Sequence, residues 1–175
     1  MGIHLIEGRS FSDDRGFFRE IWNEPAYEKC GIFGPYVQDN VSVSKQNVLR
    51  GLHFQEPHAQ AKLVSVLEGE VLDVAVDIRL GSPTFGQHVA YVLSHTNNLH
   101  LSIATGFAHG FYVLSEKAVV IYKCSETYRP ECEGGILWSD PDLAIEWPAT
   151  PPILATKDAA CPRLRDVPRD RLPKF

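Results

Sequence analysis

Short stretches of alternating apolar and polar residues dominate this chain. In Val71-Leu-Asp-Val-Ala-Val-Asp-Ile78, Leu72, Val74, Val76 and Ile78 fall on one face and Asp73, Ala75 and Asp77 on the other, the period of two that a β-strand imposes. Glu68-Gly-Glu70 separates this segment from Lys62-Leu-Val-Ser-Val-Leu67 and predicts a hairpin turn between them. Further strands are predicted over Val37–Ser44, Val48–Gln55, His88–Leu93, His100–Ile103, Gly110–Leu114 and Ala118–Cys124. Helix signals are few. The best is Asn23-Glu-Pro-Ala-Tyr-Glu-Lys-Cys-Gly31, with Asn23 as N-cap, Pro25 in the first turn and Gly31 just past the end.

Many short strands punctuated by Gly and Pro predict an all-β fold, and a cupin-type jelly-roll barrel with short peripheral helices fits best. The length of 175 residues suits one domain. Residues 161–175 differ in composition, with Arg163, Arg165, Arg169, Arg171 and Lys174 against Asp166 and Asp170. The chain is therefore expected to divide into a single domain over 1–160 and a basic, Pro-containing tail over 161–175 that hugs the surface or stays disordered.

Charge narrows the partners. A formal net charge of −5 argues against nucleic acid, which selects a basic surplus. No apolar run approaches the roughly 20 residues that span a bilayer, so no membrane association is expected. The start, MGIHLIEGRS, lacks the basic and apolar blocks of a secretion signal, so the chain reads as cytoplasmic. Cys30, Cys124, Cys132 and Cys161 form no CxxC pair and are expected to be reduced thiols.

Three polar groupings interrupt apolar strand text: Val48-Leu-Arg-Gly-Leu-His-Phe-Gln55 followed by Lys62, Ile103-Ala-Thr-Gly-Phe-Ala-His-Gly-Phe111, and Ile121-Tyr-Lys-Cys-Ser-Glu-Thr-Tyr128. A His, a Lys and a Tyr on neighbouring strands of a small barrel can converge as base, cation and acid in one partly dry pocket. Strict alternation would put Arg50 and His53 on opposite faces, and only a bulge at Gly51 lets both face the lumen. Alternatives stay open at this point: His53 and His109 as structural residues, Tyr122 as core, or a metal-dependent cupin whose ligands come from distant strands, since no HxH pair is present.

Eight segments carry a resemblance to a family. Asp14-Arg-Gly-Phe-Phe-Arg-Glu20, Gln38-Asp-Asn40, Val48–Gln55, Lys62-Leu-Val64, Gly81-Ser-Pro-Thr-Phe-Gly86, Gly106-Phe-Ala-His-Gly-Phe111, Tyr122-Lys-Cys124 and Trp138-Ser-Asp-Pro141 occur in that order. From about Glu7 to Asp158 the chain resembles the dTDP-4-dehydrorhamnose 3,5-epimerases, nucleotide-sugar epimerases of the cupin fold.

The resemblance implies a homodimeric isomerase that needs no metal and no cofactor and acts on dTDP-4-dehydro-6-deoxy-D-glucose; no GxGxxG or Walker loop is present. It implies four catalytic residues: His53 as base, Asp158 fixing its tautomer, Lys62 stabilising the enolate and Tyr122 as acid, its pKa expected to fall beside cations. It implies substrate binding by Arg15, Glu20, Gln38, Asn40, Arg50, His109, Glu133 and Lys157, with the Arg15–Glu20 stretch serving the partner's site. Where many relatives have two adjacent aromatics before a proline, this chain has Thr127-Tyr128-Arg129-Pro130, so stacking on the ligand is expected to change. Relatives that invert C3 or C5 alone share most of these motifs. A metal-dependent cupin and a non-catalytic sugar-binding cupin are the remote alternatives.

Overall fold

The computed structural model describes residues 2–175. In chain order the strands are β1 (Ile3–Glu7), β2 (Ser10–Asp13), β3 (Gly16–Arg19), β4 (Gln38–Lys45), β5 (Leu49–Gln55), β6 (Lys62–Glu68), β7 (Glu70–Asp77), β8 (His88–Ser94), β9 (Leu99–Ile103), β10 (Phe107–Val113), β11 (Lys117–Cys124) and β12 (Glu133–Gly135). Two short helices join them, α1 (Glu24–Glu28) and α2 (Thr156–Ala159). The first sheet runs β1-β9-β6-β11-β4, the second β12-β5-β10-β7-β8, and β2-β3 form a separate hairpin. All the strand pairs are antiparallel, as the jelly-roll reading requires.

The eight strands predicted from the sequence all form, within a few residues of their expected ends. β1, β2, β3 and β12 were not predicted. They are short, and β2 and β3 are almost wholly exposed, so no alternating burial marks them. The predicted hairpin at Glu68–Glu70 is a correction. Gly69 does turn the chain, at φ +80°, but β6 and β7 do not pair: β6 lies between β9 and β11, and β7 between β8 and β10. The turn carries the chain from one sheet to the other, a crossing whose local signature matches that of a hairpin.

Between the sheets, Val64, Val66, Val71, Ala75, Leu101, Ile103, Phe111, Val113 and Val120 form one apolar cluster. The outer face of the second sheet is covered as well. Leu52, Phe54, Val74, Val76 and Ile78 pack there against Ile136, Leu143, Leu164, Val167 and Leu172 from the C-terminal third. Burial on both faces explains why β7 is so apolar, and the two-face assignment of its residues holds. The basic tail lies along this surface: it buries Leu164, Val167 and Leu172, and Arg79 sits between the Phe107 and Phe175 rings at 4.6 and 4.9 Å.

Against the outer face of the first sheet, Leu63 meets Tyr27 and Ile32, with Ile6, Trp22 and Tyr36 around them. Helix α1 supplies Tyr27, and Asn23 caps it by accepting from the Ala26 N–H at 3.3 Å. Further along the same face, His100 is buried, with Nδ1 bonded to Ser65 Oγ. Burial, helped by the Arg19 charge, pushes its pKa down to about 4.

A histidine so placed binds a proton in the unfolded chain near pH 6.5 but in the folded chain only near pH 4. Stability should therefore fall as pH drops from about 6.5 to 4, by about 3 kcal/mol more in the wild type than in His100→Gln. Urea unfolding at several pH values measures this, and equal slopes in both proteins would refute it.

Candidate active site

A cavity of about 530 Å³ opens at one end of the barrel, within the usual range for small-molecule sites. The first sheet contributes Gln38 and Asn40 from β4, Lys62 from β6 and Tyr122 from β11. The second contributes Arg50 and His53 from β5, His109 and Phe111 from β10, and Glu133 from β12. Lys157 and Asp158 arrive on α2, and Tyr128 from the loop after β11. Ten of the twelve residues expected from the sequence thus meet in one cavity. Arg15 and Glu20 do not: Arg15 sits on the β2-β3 turn, highly exposed and paired with Asp13, and Glu20 follows β3.

The predicted bulge is present. In the β5–β10 register His109 faces His53 but Phe111 faces Arg50, so β5 uses one residue more than β10 over this span. Gly51 absorbs it at φ +123°, where a Cβ would lie 2.6 Å from Gly110 Cα and 2.7 Å from His109 O. Both Arg50 and His53 consequently line the cavity. Ser44 Oγ accepts from Arg50 Nε at 3.0 Å and fixes the direction of the guanidinium.

Asp158 is almost fully buried and accepts from two sides: His53 Nε2 lies 2.8 Å from Oδ1, and the Gly51 N–H donates to Oδ2 at 3.3 Å. Burial alone would raise this carboxyl, but the His53 bond and charge, with the Gly51 N–H and Lys157, hold it below the usual carboxylate range. With Nε2 engaged, His53 has Nδ1 left for a ligand proton.

Lys62 stands on the opposite wall, its Nζ 6.0 Å from the Tyr122 ring centre. Burial lowers its pKa, opposed by the charges of Cys124, Asp73 and Glu133. For Tyr122 the expected direction is reversed. Burial raises its pKa, and the opposing charges of Arg50 and Lys157 do not win. The phenol is held protonated, which suits a proton donor and not an acceptor.

Tyr128 is a lining residue that the sequence reading left unassigned. Gln38 Oε1 accepts its N–H at 2.8 Å, and its hydroxyl donates to Glu133 Oε2 at 3.0 Å. Glu133 also receives Lys157 Nζ at 2.8 Å, and this bond raises the Lys157 pKa. Thr127 turns toward Glu126 instead, so Tyr128 supplies the aromatic surface at the rim. Its signal was an aromatic residue two positions before a proline in a polar loop, which sequence alone does not separate from a surface tyrosine. Among the described residues no group of three or more His, Cys, Asp or Glu is arranged to hold a metal ion.

Two facing antiparallel sheets, with His53 on one, backed by Asp158 from α2, and Lys62 and a protonated Tyr122 on the other, frame a jelly-roll cavity that holds the groups a proton-moving isomerase needs. The family model described as dTDP-4-dehydrorhamnose 3,5-epimerase matches residues 1–166, and the chain belongs to that family. It is 53% identical over 165 residues to the dTDP-4-dehydrorhamnose 3,5-epimerase of Salmonella typhimurium strain LT2, covering 93% of this chain and 90% of that one. A crystal structure of dTDP-6-deoxy-D-glucose-3,5-epimerase from Legionella pneumophila, in complex with dTDP-4-keto-L-rhamnose, matches with a TM-score of 0.96 and 51% identity, covering 99% and 93% of the two chains. A 3'-monoepimerase from Streptomyces bikiniensis in complex with dTDP-quinovose matches with a TM-score of 0.93 and 35% identity, covering 99% and 89%.

Gly51→Ala should be among the most damaging single changes at the site. It puts a Cβ into the β10 backbone at a positive φ, costing about 2 kcal/mol or more of stability and turning Arg50 or His53 out of the cavity. Thermal melts and ligand titration would show both effects; a variant with normal melting and normal activity would contradict the bulge's role.

Proposed function

We propose that the protein inverts C3 and C5 of dTDP-4-dehydro-6-deoxy-D-glucose to give dTDP-4-dehydro-L-rhamnose. The observation that carries this is the placement of His53, backed by Asp158, on one sheet and of Tyr122, held protonated, on the other, with Lys62 beside the phenol. The ketone at C4 acidifies the C–H bonds at C3 and C5. His53 takes one of those protons, and the C–H electron pair moves into a C=C bond while the carbonyl pair settles on the C4 oxygen. Lys62 meets that oxyanion. Tyr122 then delivers a proton to the opposite face of the same carbon, the carbonyl re-forms, and solvent resets both groups. The sequence repeats at the second carbon with no net oxidation or reduction.

Arg50 and Lys157 supply the positive charge for the diphosphate, and Gln38, Asn40, His109 and Glu133 the remaining polar contacts. Tyr128 offers the face on which a base or sugar stacks. The family likeness and the exposed apolar residues support a homodimer. Phe11, Phe17 and Phe18 on the β2-β3 hairpin and Val41 and Val43 on the outer face of β4 are all more than half exposed, a surface that a second copy would cover. The hairpin would then bring Arg15 and Glu20 to the partner's cavity. The cytoplasm is the compartment of this reading, because a diphosphate-bearing substrate does not cross a bilayer unaided.

A single-centre reaction is the second reading, favoured by the likeness to the 3'-monoepimerase. Incubation with the proposed substrate in D₂O, read by NMR, separates the two: label at C3 and C5 supports double inversion, label at one carbon supports the second reading, and label at neither refutes both. His53→Ala should cut turnover by about 10³-fold or more with the fold retained. Tyr122→Phe should slow inversion while proton exchange persists at one carbon; equal loss of both would make Tyr122 part of proton removal.

A further inference from the structure

His53 has a counterpart. His109 lies directly across from it in the β5–β10 register, and each imidazole is backed by its own carboxylate, Asp158 behind His53 and Asp73 behind His109. Both oxygens of Asp73 approach the same atom, His109 Nε2, at 2.9 and 3.0 Å. Asp73 is fully buried and His109 nearly so. On β7 the carboxylate stands opposite Phe111, two residues along from the Ala75–His109 pair, so it reaches His109 diagonally across the inner face.

The strand itself does not call for a charge there. The neighbours of Asp73 on this face of β7, Val71 and Ala75, belong to the apolar cluster between the sheets. A carboxylate at such depth is strongly disfavoured unless it is hydrogen-bonded, and His109 is the partner it has among the described residues. His109 in turn lines the cavity together with Lys62 and Phe111. A carboxylate only accepts, so Nε2 carries the proton of this bond and Nδ1 is the nitrogen left for a ligand. In the neutral ring Nδ1 presents a lone pair, which a sugar hydroxyl can meet by donating.

We propose that Asp73 is a positioning residue that fixes the tautomer of His109, so that His109 Nδ1 accepts a hydrogen bond from the hydroxyl on C2 or C3 of the sugar and makes the site select for it. The inference rests on the epimerase reading and adds to it a buried residue that touches no substrate atom. Asparagine at position 73 keeps the size of the side chain but loses the charge, and its amide can donate to Nε2 as well as accept from it, so the ring is no longer held to the tautomer that leaves Nδ1 an acceptor.

The test uses the full chain and three sugar nucleotides: the proposed substrate and its 2-deoxy and 3-deoxy analogues, all read by deuterium exchange at C5. With the full substrate, Asp73→Asn and His109→Gln should each lose roughly 10- to 100-fold in kcat/KM, and the double variant should be no worse than the weaker single. One of the two deoxy analogues should be a poor substrate for the wild type, and that penalty should shrink to within roughly 3-fold in both variants. Binding of dTDP alone, which lacks the sugar, should be unchanged within about 2-fold in Asp73→Asn. A fall in dTDP affinity matching the loss in kcat/KM would make Asp73 merely structural and overturn the inference. Additive losses in the double variant, or a deoxy penalty of full size in His109→Gln, would overturn it too. The His109→Gln arm decides the matter should Asp73→Asn fail to fold. Absence of exchange at both C3 and C5 of the full substrate in the wild type would overturn the epimerase reading itself and this inference with it.

Discussion

One carboxylate ties the site together. Asp158 bonds the His53 ring through one oxygen and the Gly51 N–H through the other, so the group that orients the imidazole also holds the bulge that turns it inward. Asp158 comes from a four-residue helix more than a hundred positions along the chain from β5. The second sheet can therefore carry Arg50 and His53 side by side only when the C-terminal third has docked. In its absence the β5 bulge would leave a backbone N–H unpaired at depth, a cost of about 1–3 kcal/mol.

Charge around the cavity is nearly balanced. Arg50, Lys62 and Lys157 face Asp73, Glu133 and Asp158. The balance is local as well as total: Lys157 is bonded to Glu133, and Asp158 and Asp73 each stand behind a histidine. Lys62 differs. Its neighbours act through charge at a distance and burial outweighs them, and among the described residues Lys62 makes no ion pair; it stands beside a phenol that burial keeps protonated. A developing oxyanion is the species such a pair would stabilise, because the desolvation already imposed on Lys62 is offset only when negative charge arrives.

Much of this was legible in the sequence. The alternating strands located the barrel, and ten of the twelve expected site residues share its cavity, because short motifs such as Arg50-Gly-Leu-His53 carry both the chemistry and the glycine that the geometry needs. What the sequence hid was context. The turn at Gly69 looks the same whether it closes a hairpin or crosses between sheets, and only pairing partners far along the chain distinguish the two. The pKa of Tyr122 was misjudged because cations are visible in a sequence and burial is not. Asp73 passed as one polar position of an alternating strand, and nothing local shows that its partner is His109, 36 residues away.

The basic tail shows how little composition says about packing. Its composition left a surface-hugging and a disordered end equally open; its charges face outward, and Leu164, Val167 and Leu172 fill the outer face of the sheet that carries His53. The segment buries a leucine or valine every three to five residues among exposed arginines, too sparse a pattern for helix or strand periodicity to reveal. Its anchoring is specific: Asp140 accepts the Leu164 N–H, the Leu80 N–H donates to the Pro173 carbonyl, and Arg79 is clasped between two rings while bound to Asp77. The sheet whose inner face lines the cavity thus depends on the tail for its outer face. Removing that cover would expose Val74 and Val76 on the same strand as Asp73, and Ile78 just beyond it, so the precision of the second dyad is coupled to the last fifteen residues of the chain.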